Sequence, residues 1–331
     1  MSYRRTIRET VEVGINTLAE LQGSLLTAIQ VEFSTIPPYL CAQWSINSSN
    51  NGDPSGVNGI IQGVVVQEML HFGLACNMYT ATGGSLKGEI AAPDFVPVYP
   101  TDGLPGGVHP GLVVSLLPAG RQALQTFMSI EYPEVIPVVK QPDTPPPPAP
   151  ATPPTIGQFY EVIAAGFNTV FPDGSLPHDP SLNQVVTGVD SDQLFAVNTV
   201  ADALNAIKEI TDQGEGTSAS PDQGTFDPGN LAHYYTFAEI YYGKTVAQVG
   251  NGFQYSGPAI TMPTVHNFAP QPPGAADQQT FISDFGTLMT QLEECWTSGF
   301  SIDIAVGTMF SLQTAGTNLI LAGFTPQFTF A

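Results

Sequence analysis

Glu68 and His71 stand three residues apart in Gln-Glu-Met-Leu-His. On a helix such positions share one face with their Cβ atoms ~5–6 Å apart, so a carboxylate and an imidazole can hold the same metal ion. The neighbours Val65, Met69, Phe72 and Leu74 are apolar, which predicts a largely buried helix. A buried carboxylate needs a cation or a hydrogen-bond donor, because its charge is costly outside water. Glu32 poses the same problem: it is the only acidic residue between Glu20 and Asp53, and it sits among Leu, Ile, Ala and Phe.

Two helices must bring these side chains together. Leu18, Leu21, Leu25, Ala28, Ile29, Glu32 and Phe33 recur at three- and four-residue steps, predicting an amphipathic helix over about 15–46. Pro37-Pro38 removes two backbone donors and predicts a kink or restart there. Turn formers at 47–58 precede a second helix over about 59–82, which Gly83-Gly84 stops. If the pair is antiparallel, Glu32, Glu68 and His71 lie roughly 21, 15 and 20 Å from the connecting loop at ~1.5 Å per residue. They reach one level, which is the half-site pattern of carboxylate-bridged two-metal bundles.

Charge narrows the choice. The chain carries 8 Lys+Arg against 29 Asp+Glu, a net charge of −21, so no basic face exists for nucleic acid or anionic lipid. The same scarcity leaves few organic cations to neutralise buried carboxylates, and the field attracts metal cations. Cys41, Cys76 and Cys295 form no Cys-x-x-Cys pair and read as small core residues. The opening MSYRRTIRETVEVG has no apolar stretch, and the run after Asp303 is interrupted by Gln313, Thr314, Asn318 and glycines. Neither a secretory leader nor a membrane span is expected, and a cytoplasmic protein is.

Residues 88–119 are Gly/Pro-rich and irregular, with short β-like runs at 95–99 and 112–117. Eight of the fourteen residues at 141–154 are proline, which predicts an extended polyproline II excursion. Further helices are expected at about 120–130, 155–168, 196–212, 229–242, 276–297 and 302–321. The fold class is therefore mainly α, a helical bundle with long Pro/Gly-rich insertions. A single elaborated domain over 1–331 is expected, its core at about 15–84, 155–245 and 276–322.

These residues resemble a known family. The run Glu32–Leu40, Gln67–His71, Asn77 and Gly83-Gly84 look like the ferritin-like domain of the iminophenyl-pyruvate dimer synthases of violacein- and rebeccamycin-type biosynthesis. The similarity continues through 93–100, 129–134, Ile156–Glu161, Gln213–Gly216 and His233–Glu239. It spans roughly 20–245, more weakly 276–322, on both sides of the proline run. Gln30 and Gln67 depart from it, standing where many relatives carry acidic residues. The resemblance implies a second half-site from Glu161, Glu215 and His233, with Glu209, Glu131 and Glu239 competing with Glu161. His109, His178 and His266 lie in loops and are not expected in the site.

The implied ligand set of Glu32, Glu68, His71, Glu161, Glu215 and His233 suits two iron ions with open positions for dioxygen. The expected function is an O2-dependent diiron oxidoreductase of specialised metabolism, acting on a small aromatic or amino-acid-derived substrate. Iron oxidation or storage is the alternative, and a metal-free helical interaction module is the third. A homo-oligomer is compatible with each. A hydrolytic zinc site fits least, since the constellation is rich in carboxylates.

Overall fold

A computed structural model describes residues 5–133, 137–142, 153–177, 179–188, 193–217, 219–224, 227–270 and 276–330. Most of the predicted proline excursion, and His178, lie outside the described residues. The helices are α1 (Ile7–Val13), α2 (Leu18–Ser45), α3 (Val57–Ala81), α4 (Arg121–Ile130), α5 (Ile156–Val170), α6 (Val200–Glu215), α7 (His233–Tyr242), α8 (Ala276–Thr297) and α9 (Ile302–Leu321).

Local chemistry sets where several of these begin. Thr17, Thr155 and Thr199 each accept from the backbone N–H three residues on, and Glu20, Gln158 and Asp202 each reach back to the capping threonine. Such reciprocal boxes satisfy two orphan donors at a helix start. The helix α2 runs through Pro37-Pro38 without restarting, contrary to one reading of the sequence. Pro38 has no N–H for the Ser34 carbonyl, and the Tyr99 hydroxyl donates to that carbonyl instead, at 2.6 Å. A side chain from outside the helix thus replaces one of the lost backbone bonds.

The pair α2–α3 forms one half of the bundle. Along α2 lie α4 and α5; along α3 lie α6 and α7; α4 also packs on α7, and α5 on α6. The third and fourth walls are therefore each made of two short helices rather than one long one. Their breaks, 131–155 and 216–232, fall between helix ends that face the middle of α2 and α3. Sequence periodicity places a helix start near 229. The chain instead pairs Asp222 with Leu231 in a short antiparallel ladder, and α7 begins at His233.

Outside the bundle, α8 and α9 pack together, with α9 on α2 and α8 on α3. The strand pair at 101–114 overlaps the start of the β-like run read at 112–117, the run at 95–99 is not a strand, and a hairpin over 244–259 was not legible in the sequence. Both α3 and α9 are long and apolar enough to cross a membrane. The first is a core helix, whereas α9 turns Ile304, Phe310 and Leu321 outward.

Candidate metal centre

The first two helices deliver their residues as the spacing predicts. Glu32 is 3% exposed, Glu68 and His71 2% each, and all face the interior of the bundle. His71 Nδ1 lies 3.5 Å from Glu32 Oε2 and 3.9 Å from Glu68 Oε1. From the fourth wall, His233 at the start of α7 places its Nδ1 2.8 Å from the same Glu68 oxygen. The two imidazoles stand side by side, centroids 5.4 Å apart, with Glu68 reaching both. Ligand atoms of Glu68, His71 and His233 lie within 4.8 Å of one another, close enough for shared metal coordination.

The third wall supplies Glu131, directly after α4, with Oε2 3.7 Å from His233 Nδ1. Glu161 does not enter the site. The buried face of α5 carries Gly157, Phe159, Tyr160, Ile163 and Phe167, which leaves Glu161 exposed on the opposite side. Its neighbour Tyr160 is the residue that points inward. Glu215, part-exposed at the end of α6, lines the same small cavity as Glu32, Glu68, His71 and Glu131. One of its oxygens accepts from Gly157 N–H at 2.9 Å, at the positive end of α5. A Cβ at Gly157 would lie 2.6 Å from that oxygen, so only glycine permits the approach.

Each group has an outer partner, and the two halves are arranged alike. Tyr160 donates to Glu32 Oε1 at 2.6 Å and Tyr39 to Glu131 Oε1 at 2.5 Å, which leaves each carboxylate's Oε2 facing a histidine. Burial, reinforced by the neighbouring carboxylates, holds both phenols well above their ordinary pKa, so they remain donors. Thr35 donates to Glu68 Oε2 at 2.7 Å.

The far nitrogen of each histidine meets a glutamine oxygen: His71 Nε2 is 2.9 Å from Gln213, and His233 Nε2 is 3.0 Å from Gln67. The Gln213 amide donates to Glu209 and Gln193, which fixes its oxygen toward His71. Gln67 and Gln223 exchange reciprocal amide bonds, which fixes the other. Both Nε2 atoms therefore carry hydrogen, and both Nδ1 atoms address the carboxylates. This is how an outer partner orients a metal-binding histidine.

The remaining competitors fall elsewhere. Glu209 is fully buried but acts on Gln213 rather than on the cluster. Glu239 accepts from Val246 N–H at the other end of α7. His109 is buried and bonded through Nε2 to the Ile130 carbonyl, so it secures the end of α4 beside Glu131. Sequence reasoning missed Tyr39, Tyr160, Gln213 and His109 as supports. A Glu directly after a helical run and preceding Tyr-Pro was the available signal for Glu131.

The donor set fits a dinuclear metal ion pair. Four carboxylates and two imidazoles converge, the outer atoms are held by neutral donors and acceptors, and no Lys or Arg pairs with the buried Glu32, Glu68 or Glu131 among the described residues. Buried carboxylates so placed require compensating positive charge. The cavity between them is about 20 Å³, ion- or water-sized.

Comparison with known proteins agrees with this architecture. A profile of the family described as Ferritin-like matches residues 25–242, about two thirds of the sequence. The chain belongs to the ferritin-like family. It is 26% identical over 262 residues to dichlorochromopyrrolate synthase of Lentzea aerocolonigenes, a match over 68% of this chain and 25% of that enzyme. The chain thus spans about a quarter of the length of that relative. A crystal structure of a ferritin-like protein from Caulobacter vibrioides shares the fold, with a TM-score of 0.64 at 23% identity, over 93% of this chain and 97% of that one. The ferritin-like match ends at the close of α7, so α8 and α9 lie beyond it.

Proposed function

We propose that this ferritin-like chain is an O2-dependent oxidoreductase of specialised metabolism, using two iron ions held by Glu32, Glu68, His71, Glu131, Glu215 and His233. The observation that carries the reading is Glu68 placed between two imidazoles whose Nδ1 atoms both face carboxylate oxygens. Likeness to part of a biosynthetic synthase supports an enzyme, and supports a small aromatic or amino-acid-derived substrate.

When bound, two ferrous ions supply electrons for the reduction of dioxygen. The chain's own groups set the conditions. Glu68 spans both half-sites, while Glu32 and Glu131 serve one each. Tyr160 and Tyr39 hold the outer carboxylate oxygens, and Gln213 and Gln67 hold the histidine Nε2 hydrogens. Burial keeps bulk water away. The part-exposed Ile156, Thr211 and Glu215 form the outer rim of the small cavity, and its volume suits dioxygen rather than an organic molecule.

Anaerobic loading with Fe(II) followed by elemental analysis tests the site. Wild type should hold about two irons per chain, as expected for a dinuclear bundle centre. His71→Ala and Glu131→Ala should lose most of it, and Glu161→Ala should not. Dioxygen consumption with aromatic amines and amino acids then tests the activity. Iron storage is the second reading, favoured by the ion-sized cavity and acidic surface; uptake far beyond two irons per chain would select it. No bound metal in wild type overturns both.

A further inference from the structure

An apolar cavity lies away from the carboxylates. Between α2–α3 and α8–α9 is a cavity of about 280 Å³, near the lower limit of ~300 Å³ for pockets that hold drug-sized ligands. Phe33, Trp44, Met69, Phe72, Trp296 and Met309 are among its walls. It shares no lining residue with the cavity at the metal centre. The helices divide the two by face: Glu32, Glu68 and His71 turn to one, and their sequence neighbours Phe33, Met69 and Phe72 to the other.

Three features define what the cavity accepts. No lining residue is charged, and Gln43, Gln62 and Gln313 are its only carboxamides, so an ionic ligand would lose its hydration without a partner. The walls are dense in aromatic rings, which favours a flat aromatic occupant in offset or edge contact. Neither indole N–H is available to an occupant: that of Trp44 is buried out of reach, and that of Trp296 donates to Asn77 Oδ1 at 2.8 Å, so both offer apolar ring surface. Native interiors also rarely leave a void of this size unfilled. Phe310, 64% exposed, stands at the rim on α9.

We propose that this cavity is a binding site for a neutral, largely aromatic molecule held by its apolar and aromatic walls. The site is separate from the metal centre, and its test needs no metal. Trp44 and Trp296 are the only tryptophans in the chain, and both line the cavity, so their fluorescence reports occupancy directly.

The probe is 6-propionyl-2-(dimethylamino)naphthalene, a neutral fused-ring ketone whose emission shifts blue in apolar surroundings and whose absorption overlaps tryptophan emission. Titrated into the full-length chain as purified, it should give saturable, one-to-one, blue-shifted emission excited through the indoles. Val306→Phe and Met309→Phe fill the space and should each weaken binding about tenfold or more, a loss read directly as Kd. Circular dichroism identifies any variant that fails to fold. Absence of saturable energy transfer in wild type overturns the proposal. Binding unaltered by both filling variants, folded as judged by their melts, overturns it equally, because the probe would then sit elsewhere.

Discussion

His233 is fully buried, and burial alone would pull its pKa down. The carboxylates of Glu131 and Glu68, with oxygens 3.7 and 2.8 Å from its Nδ1, outweigh that and raise it to about 10. His71 moves in the same direction: burial opposes the shift, and Glu32 and Glu68 overcome it. A histidine whose folded pKa is raised stabilises the protein when protonated. That contribution is full below the unfolded value of ~6.5 and is lost as pH climbs through the folded pKa. The metal-free chain should therefore melt at progressively lower temperature from about pH 6.5 to 10. Metal must displace the Nδ1 proton, so the rise in Tm on adding Fe(II) anaerobically should grow across the same window. Scanning calorimetry across that range checks both slopes, and flat profiles would contradict the linkage. Tyr160→Phe removes a buried hydrogen bond and leaves Glu32 Oε1 without its donor, and should lower unfolding free energy by about 1–3 kcal/mol in urea titrations.

Among the elements, the two broken walls matter most. A continuous helix presents a side chain to a given level only once per turn. A helix that stops there presents its end, and α4, α6 and α7 each place Glu131, Glu215 or His233 at or beside such an end. The start of α5 contributes the Gly157 N–H to Glu215 in the same way. Gly157→Ala tests this: its Cβ would force the Glu215 carboxylate away from α5. The carboxylate can swing aside and alanine favours the helix by ~0.5–1 kcal/mol, so Tm should change little while the iron content falls, read by thermal melts and elemental analysis together. The broken walls also explain the misplaced Glu161. Motif order suggested the Glu on the helix after the proline run, but the third wall delivers its carboxylate from the helix before that run.

For the whole molecule, α8 and α9 cover an apolar face of the ferritin-like bundle. Trp44 of α2 stacks with Phe328 at 6.2 Å and meets Phe281 of α8 at 6.4 Å, while Gly316 of α9 lets the indole approach closely. Truncation after residue 270 would bare Phe33, Trp44 and Phe72 as one exposed patch. Such a patch drives self-association in an otherwise soluble domain, so the shortened chain should aggregate on size-exclusion chromatography while the full chain does not. The net charge of −21 limits association of the intact protein but is no substitute for that cover.

Sequence alone determined the helical class and the first half-site. Helical period and the count of residues from one short loop fix the level of Glu32, Glu68 and His71, because rise per residue is constant along a helix. The scarcity of Lys and Arg also made metal cations the expected partners of these carboxylates. Resemblance to a family added Glu215 and His233. Only the tertiary structure decided between Glu131 and Glu161, because the intervening 131–155 segment has no period from which to count. The roles of Tyr39, Tyr160, Gln67 and Gln213 were likewise invisible: each is a bond between helices far apart in sequence. The cavity beneath α9 belongs to the same class, since a void is a property of how faces meet and leaves no mark on any one of them.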